Sequence, residues 1–145
     1  LYPEPLRDQG HDPLPWAGEL RVGDGLQLIT GKALHFLNSG YSNMERHRRR
    51  AGDLFIEINP ADARTRGVAA GDRVRVWNER GEVRAVCSVS DRVRPGVAWM
   101  PFGGFTDASG ERRSVNVLTA EEPTDWGGGS GLYDAFVEVT SVAAE

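Results

Sequence analysis

The sequence predicts a mainly β domain, closed into a barrel and carrying one or two short helices. Three observations lead there. Apolar side chains recur at every second position in residues 73–77 and again at Val83, Ala85, Cys87 and Val89, the period of a strand with one buried face. Other apolar runs stop at glycine or proline before they reach helical length. The helices that can be drawn are too few and too short for a regular alternation of strand and helix.

Taken in order, residues 1–24 carry Pro3, Pro5, Pro13 and Pro15 among charges and glycines, a composition that opposes both helix and sheet ladders. They are expected to form a linker or N-terminal arm, with residues 25–145 as the domain proper. The apolar run 26–30 ends at Gly31, as a buried strand opening into a loop does. Ser42-Asn43-Met44-Glu45 has the spacing of a capping box and predicts a short helix through the basic run 46–50. Residues 54–58 read as a strand. Asn59-Pro60 then offers an N-cap and a proline at the first helical position, and Gly67 is placed to stop that helix.

Residues 73–77 and 82–89, joined by Asn78-Glu79-Arg80-Gly81, form a hairpin. A turn at 91–95 leads into a strand at 96–100, residues 103–114 form a long loop, the glycine-rich stretch 127–131 is flexible, and a last strand covers 135–142. The sum is about six or seven strands with two short helices, which favours closure into a barrel.

Composition removes several function classes. A net charge of -4 gives no global attraction to nucleic acid, so no nucleic-acid partner is expected. No apolar run approaches the roughly 20 residues of a spanning helix, so no membrane insertion is expected. One cysteine, Cys87, excludes an internal disulfide and any multi-cysteine metal site built from this chain alone. The chain opens on Leu1 without a basic start or an apolar export segment. It therefore reads as a fragment, and a cytoplasmic setting is favoured without being fixed.

Motifs for independent catalysis are missing: no phosphate loop, no His-Glu-x-x-His and no Gly-x-Ser-x-Gly elbow. His11, His35 and His47 have no carboxylate or cysteine at ligand spacing, and no metal site is expected from them. His35 sits in a polar stretch with Thr30, Gly31, Lys32, Asn38 and Ser39, where donors suit an anionic ligand. The run from Arg46 to Arg50 is read as a solvated face in preference to a phosphate site. Cys87 shares the alternating face of Val83, Ala85 and Val89 and is assigned to the core, as are Trp77 and Trp99. Phe102 and Phe105 flank glycines and suit either core or pocket.

Read together, Leu28-Ile29-Thr30-Gly31-Lys32, Ile58-Asn59-Pro60-Ala61-Asp62-Ala63, Gly67-Val68, Gly71-Asp72-Arg73-Val74-Arg75-Val76, Arg80-Gly81, Val93-Arg94-Pro95-Gly96 and Asn116-Val117-Leu118-Thr119 form an ordered series. It resembles the molybdopterin-dinucleotide-binding domain, the C-terminal domain of the dimethyl-sulfoxide-reductase superfamily that includes formate dehydrogenases and nitrate reductases. The resemblance implies a double-psi β-barrel closing over bis(molybdopterin guanine dinucleotide) with molybdenum or tungsten. Other domains of the same parent chain would supply the metal ligand and any iron–sulfur cluster. This domain would then hold the cofactor of an oxidoreductase acting on a small substrate such as formate or nitrate, without being catalytic alone.

By the same resemblance Thr30, Gly31, Lys32, His35, Asn38 and Ser39, in the loop after the first strand, contact the cofactor, together with Phe102, Gly103 and Asn116. Lys32 stands where many relatives have arginine, so simple attraction replaces bidentate recognition. Gly131-Leu132-Tyr133-Asp134 departs from the family's Pro-x-Tyr-Lys-like segment. Two other readings compete: a double-psi barrel that binds a protein partner without cofactor, and, last, a small hydrolase built on His35.

Overall fold

The computed structural model describes residues 25–103, 105, 114–119 and 135–142. The proposed arm with His11, most of the loop after Gly103, the glycine-rich stretch and the departure at 131–134 lie outside the described residues. Within them, strands β1 (Leu26–Lys32), β2 (Phe55–Ile58), β3 (Arg73–Trp77), β4 (Glu82–Val89), β5 (Val97–Phe102) and β6 (Phe136–Ser141) are joined by helices α1 (Glu45–Ala51) and α2 (Pro60–Arg66) and a 3-10 turn at Val115–Leu118. The strands close on themselves in the order β1, β5, β2, β4, β3, β6. Two parallel pairs, β1 with β5 and β2 with β4, are linked by antiparallel pairs into the mainly β, double-psi barrel that was expected.

Alternation decides the interior. Leu26 and Leu28, Val74 and Val76, Val83, Ala85 and Cys87, Ala98 and Met100, and Val137 and Val139 all turn inward and are buried, as period-two patterning requires. Cys87 is 2% exposed and its thiol pKa is raised to about 11, first by burial and then by the nearby Asp72 carboxylate. A thiol held neutral and out of solvent is a poor nucleophile. Native protein at pH 8 should therefore react with iodoacetamide only on the timescale of unfolding, whereas the denatured chain should react at once. Modification of the native protein as fast as the denatured chain would contradict this packing. The linkage has a sign: because the folded thiol binds its proton more tightly, its contribution to stability is complete below the unfolded thiol value and is lost as pH rises toward 11.

Helix α2 forms as its sequence dictates. Asn59 Oδ1 accepts from the Ala61 N–H at 2.9 Å, Pro60 occupies the first turn, and Gly67 closes the helix in the left-handed conformation at φ 64°. Helix α1 forms without the expected capping box. Met44 is its N-cap and offers no side-chain bond, so Glu45 falls on the first helical position instead of the third. The Ser42 hydroxyl donates to the Ser39 carbonyl at 2.6 Å and closes the preceding turn.

Two further expectations are corrected. Strand β1 runs on to Lys32, because Gly31 and Lys32 pair with Pro101 and Phe102 of β5; Thr30, Gly31 and Lys32 are strand residues, and Phe102 is the last residue of β5. Trp77 and Trp99 do not fill the barrel. They fall on the outward register of their strands and are half-buried there.

Glu57 is also outward, yet only 5% exposed. Arg92 covers it with a forked pair of bonds, Nη2 to Oε1 at 3.0 Å and to Oε2 at 3.1 Å. Arg92→Ala leaves a buried carboxylate unpaired. Because the arginine is itself largely exposed, the expected loss is at the lower end for such groups, about 1–2 kcal/mol by denaturant unfolding.

Candidate functional site

Strand direction assembles the site. Strands β1, β3 and β5 run one way and β2, β4 and β6 the other. The segments that follow β1, β3 and β5 therefore open at one rim, while α2 and the turn before β5 occupy the opposite end, tied by Asn59 Nδ2 to the Val93 carbonyl at 2.8 Å and by the Gly96 N–H to Asp62 Oδ2 at 2.8 Å. Lys32, His35, Asn38 and Ser39 from one stretch of the sequence, Phe102 and Gly103 from a second and Asn116 from a third all belong to the open rim. Function-bearing loops on a stiff scaffold commonly gather this way.

The loop after β1 is held from two sides. His47 Nδ1 on α1 donates to the His35 carbonyl at 3.0 Å, and the His47 ring stacks on Tyr41 with centroids 5.2 Å apart. Phe36 is buried edge-on against Phe105, centroids 5.0 Å apart. Asn38 adopts a left-handed φ of 55° and presents its carbonyl toward Gly103, where a Cβ would lie 3.0 Å from it. The glycine at 103, itself at φ 144°, lets the β1 and β5 loops meet. Asn38 and Ser39 face solvent.

Thr30 differs from its neighbours. It is 7% exposed and turned into the barrel with Leu26 and Leu28. Gly31 faces outward and receives the Trp99 indole, whose Nε1 would lie 2.6 Å from a Cβ there. Trp99 in turn leans on Phe55, ring centroids 5.6 Å apart.

A cavity of about 290 Å³ opens beside these residues, lined by Lys32, His35, Arg50, Phe55, Trp99 and Phe105 among others. Neither Lys32 nor Arg50 makes an ion pair among the described residues. Of the basic run, Arg50 is thus drawn to the cavity, while Arg49 pairs with Glu45 on an exposed face as a solvated helix would.

The 3-10 turn spans the rim by contacting both β4 and β5. Val115 and Leu118 are buried beneath it and Asn116 faces out; Asn116 is not among the cavity's lining residues. Asn78, whose role the sequence did not show, secures this turn: its Nδ2 donates to the Leu118 carbonyl at 2.8 Å and to the Phe136 carbonyl at 3.1 Å. Arg50, read within a solvated basic run, Trp99, read as core, and Phe55, to which no site role was given, also line the cavity; only closure of the barrel brings them to Lys32.

The class this geometry defines is a β-barrel with one open rim that carries cations without ion-pair partners among the described residues, beside aromatic rings. Comparison with known proteins then gives the family: the Molydopterin dinucleotide binding domain matches residues 26–136, and the chain belongs to that family. The chain is 33% identical over 144 residues to Probable oxidoreductase YoaE of Bacillus subtilis, covering 98% of this chain and 21% of that protein. It is 31% identical over 148 residues to Probable dimethyl sulfoxide reductase chain YnfF of Escherichia coli, covering 98% of this chain and 18% of that protein. Acetylene hydratase from Pelobacter acetylenicus shares the fold, with a TM-score of 0.75 at 19% identity, over 98% of this chain and 23% of that one. The chain thus spans about a fifth of the length of these relatives.

Proposed function

We propose that this chain is the part of a larger molybdenum or tungsten oxidoreductase that grips bis(molybdopterin guanine dinucleotide), and that the remaining domains of the parent supply the metal ligand and any iron–sulfur cluster. The observation that carries the reading is the rim cavity itself. Among the described residues it joins two cations without ion-pair partners to three aromatic rings and has no acidic residue in its lining, a donor set suited to a flat, polyanionic ligand.

When bound, such a cofactor supplies the redox chemistry at its metal. This chain's task is to hold the dinucleotide still, because reaction at a metal needs the ligand fixed to within a fraction of an ångström. Lys32 offers a point charge and His35 a ring nitrogen at the rim. Asn116 offers an amide that both donates and accepts. The β1 loop is held by His47 and by the approach of Gly103, so these groups need little reordering on binding. The sulfoxide reductase name of YnfF favours an S-oxide substrate over the formate or nitrate expected at first.

The test is made on the full-length protein. Denaturation of the wild type is expected to release pterin, guanine nucleotide and molybdenum or tungsten. A Lys32→Ala, Asn116→Ala double variant is expected to retain roughly tenfold less, from loss of one charge-assisted and one neutral hydrogen-bonding group. A folded wild type that releases neither pterin nor metal would favour the cofactor-free, protein-binding barrel.

A further inference from the structure

We propose that Tyr41 is a positioning residue: a left-handed backbone sets its ring on His47, and through His47 the ring fixes the loop after β1 in the arrangement that receives the ligand. The inference rests on the cofactor-binding reading.

This loop carries both of the non-glycine residues with a positive φ among the described residues, Asn38 at 55° and Tyr41 at 66°. Asparagine visits that region at less cost than most residues, because its short side chain bonds locally, whereas a tyrosine there crowds its Cβ against the following carbonyl oxygen. The glycine of the stretch serves a different need. Gly40 sits where a Cβ would lie 2.9 Å from the Leu37 carbonyl oxygen, in the turn that its own N–H closes on that oxygen at 2.8 Å. Position 41 thus keeps a large side chain on a backbone that disfavours it.

Burial does not offset this strain. Tyr41 is 51% exposed, so much of its ring stays in water and little hydrophobic stabilisation results. What the conformation secures is the stack on His47, with ring planes 19° apart and centroids 5.2 Å apart. His47 is the one residue of the run 45–50 that is not exposed, and its Nδ1 donates to the His35 carbonyl at 3.0 Å. The contacts therefore run in series from Tyr41 to His47 to His35, and His35 lines the rim cavity.

An imidazole turns broadly about its last side-chain bond, and the flat face of Tyr41 selects the plane in which Nδ1 meets that carbonyl. Strained backbone that the surroundings hold in place gathers at ligand clamps, where it presets a binding group. A loop already in its receiving arrangement loses less entropy when the ligand arrives.

The test uses the full-length protein and two readouts, the pterin released on denaturation and the amide hydrogen exchange of peptides spanning residues 33–44. Tyr41→Phe keeps both ring and backbone and is expected to match the wild type in each. Tyr41→Asn keeps the left-handed backbone without the ring. It should retain roughly tenfold less pterin, as for a loop that holds its receiving arrangement about a tenth of the time, and should speed exchange in the 33–44 peptides while the barrel strands exchange as in the wild type. His47→Ala should do the same. The Tyr41→Asn, His47→Ala double variant should lose no more than either single one, because removing one member of a series already breaks it.

A roughly hundredfold loss in the double variant means that the two side chains act separately and overturns the series. Loss of pterin in Tyr41→Phe assigns the effect to the phenol oxygen and overturns the positioning role. So does exchange that quickens across the strands as well, which marks a general loss of stability, or exchange that does not change in Tyr41→Asn. The cofactor-binding reading fails by a different result, a wild type that releases no pterin, and the exchange readout then still decides whether Tyr41 holds the loop.

Discussion

Replacement of Asn78 by alanine is expected to lower stability by about 2–6 kcal/mol, from the loss of four hydrogen bonds at roughly 0.5–1.5 kcal/mol each. Nδ2 donates to the Leu118 and Phe136 carbonyls, at 2.8 and 3.1 Å. Oδ1 accepts from the Arg80 and Gly81 N–H groups, at 3.0 and 3.3 Å. One side chain thus fixes the β3–β4 turn, the 3-10 turn across the rim and the start of β6. The sharper control is Asn78→Asp, which is nearly the same shape. A carboxylate still accepts from the two amides but faces two carbonyl oxygens that now lack a donor, so the aspartate should be no better than alanine. Urea unfolding checks both. An Asn78→Asp protein as stable as wild type would show that the bonds to Leu118 and Phe136 contribute little. Because Asn116 rides on the same turn, ligand retention should fall with stability in both variants.

Gly31→Ala is the second large effect, and its sign is the informative part. Replacing a glycine by alanine inside a strand ordinarily gains roughly 0.5–1 kcal/mol, because glycine has more freedom to lose on folding. Here the added Cβ would lie 2.6 Å from Trp99 Nε1 and 2.9 Å from its Cζ2. The indole cannot retreat freely, since Phe55 lies on its other side. Displacing it costs about 1–3 kcal/mol, as overpacking does elsewhere. A net loss of stability, with a change in tryptophan emission as Trp99 moves toward solvent, is the expected outcome. The double variant Gly31→Ala, Trp99→Leu should recover part of the loss, as residues in direct contact do. A single variant more stable than wild type would mean that Trp99 is not confined as described.

The expectations that held are those set by short stretches of chain. The cap at Asn59, the stop at Gly67 and the β3–β4 hairpin depend on residues within a few positions of one another, and the backbone answers to them directly. The alternation that put Cys87 in the core is equally local. The capping box at Ser42 failed although its spacing was right, because the helix begins only after Met44 and leaves Ser42 in the preceding turn, where its hydroxyl donates to the Ser39 carbonyl. Spacing names a possible bond; where the helix starts decides whether it forms.

Of the residues lining the cavity, Lys32 and His35 could be named from the sequence because they follow an apolar strand in a polar stretch, but the cavity itself could not. The sequence by itself determined the barrel class, since strand period, turn chemistry and helix caps are short-range properties that need no partner. Only the tertiary structure decided where β1 ends, because Lys32 stays in the strand through pairing with Phe102. Closure also set the outward Trp99 against Gly31, brought Arg50 and Lys32 into the lining of one cavity, and made Asn78 the tie between three segments. Each of these is a contact between residues distant in the chain, and alternation says only that a side chain faces one side of a strand, not what closure will place against it.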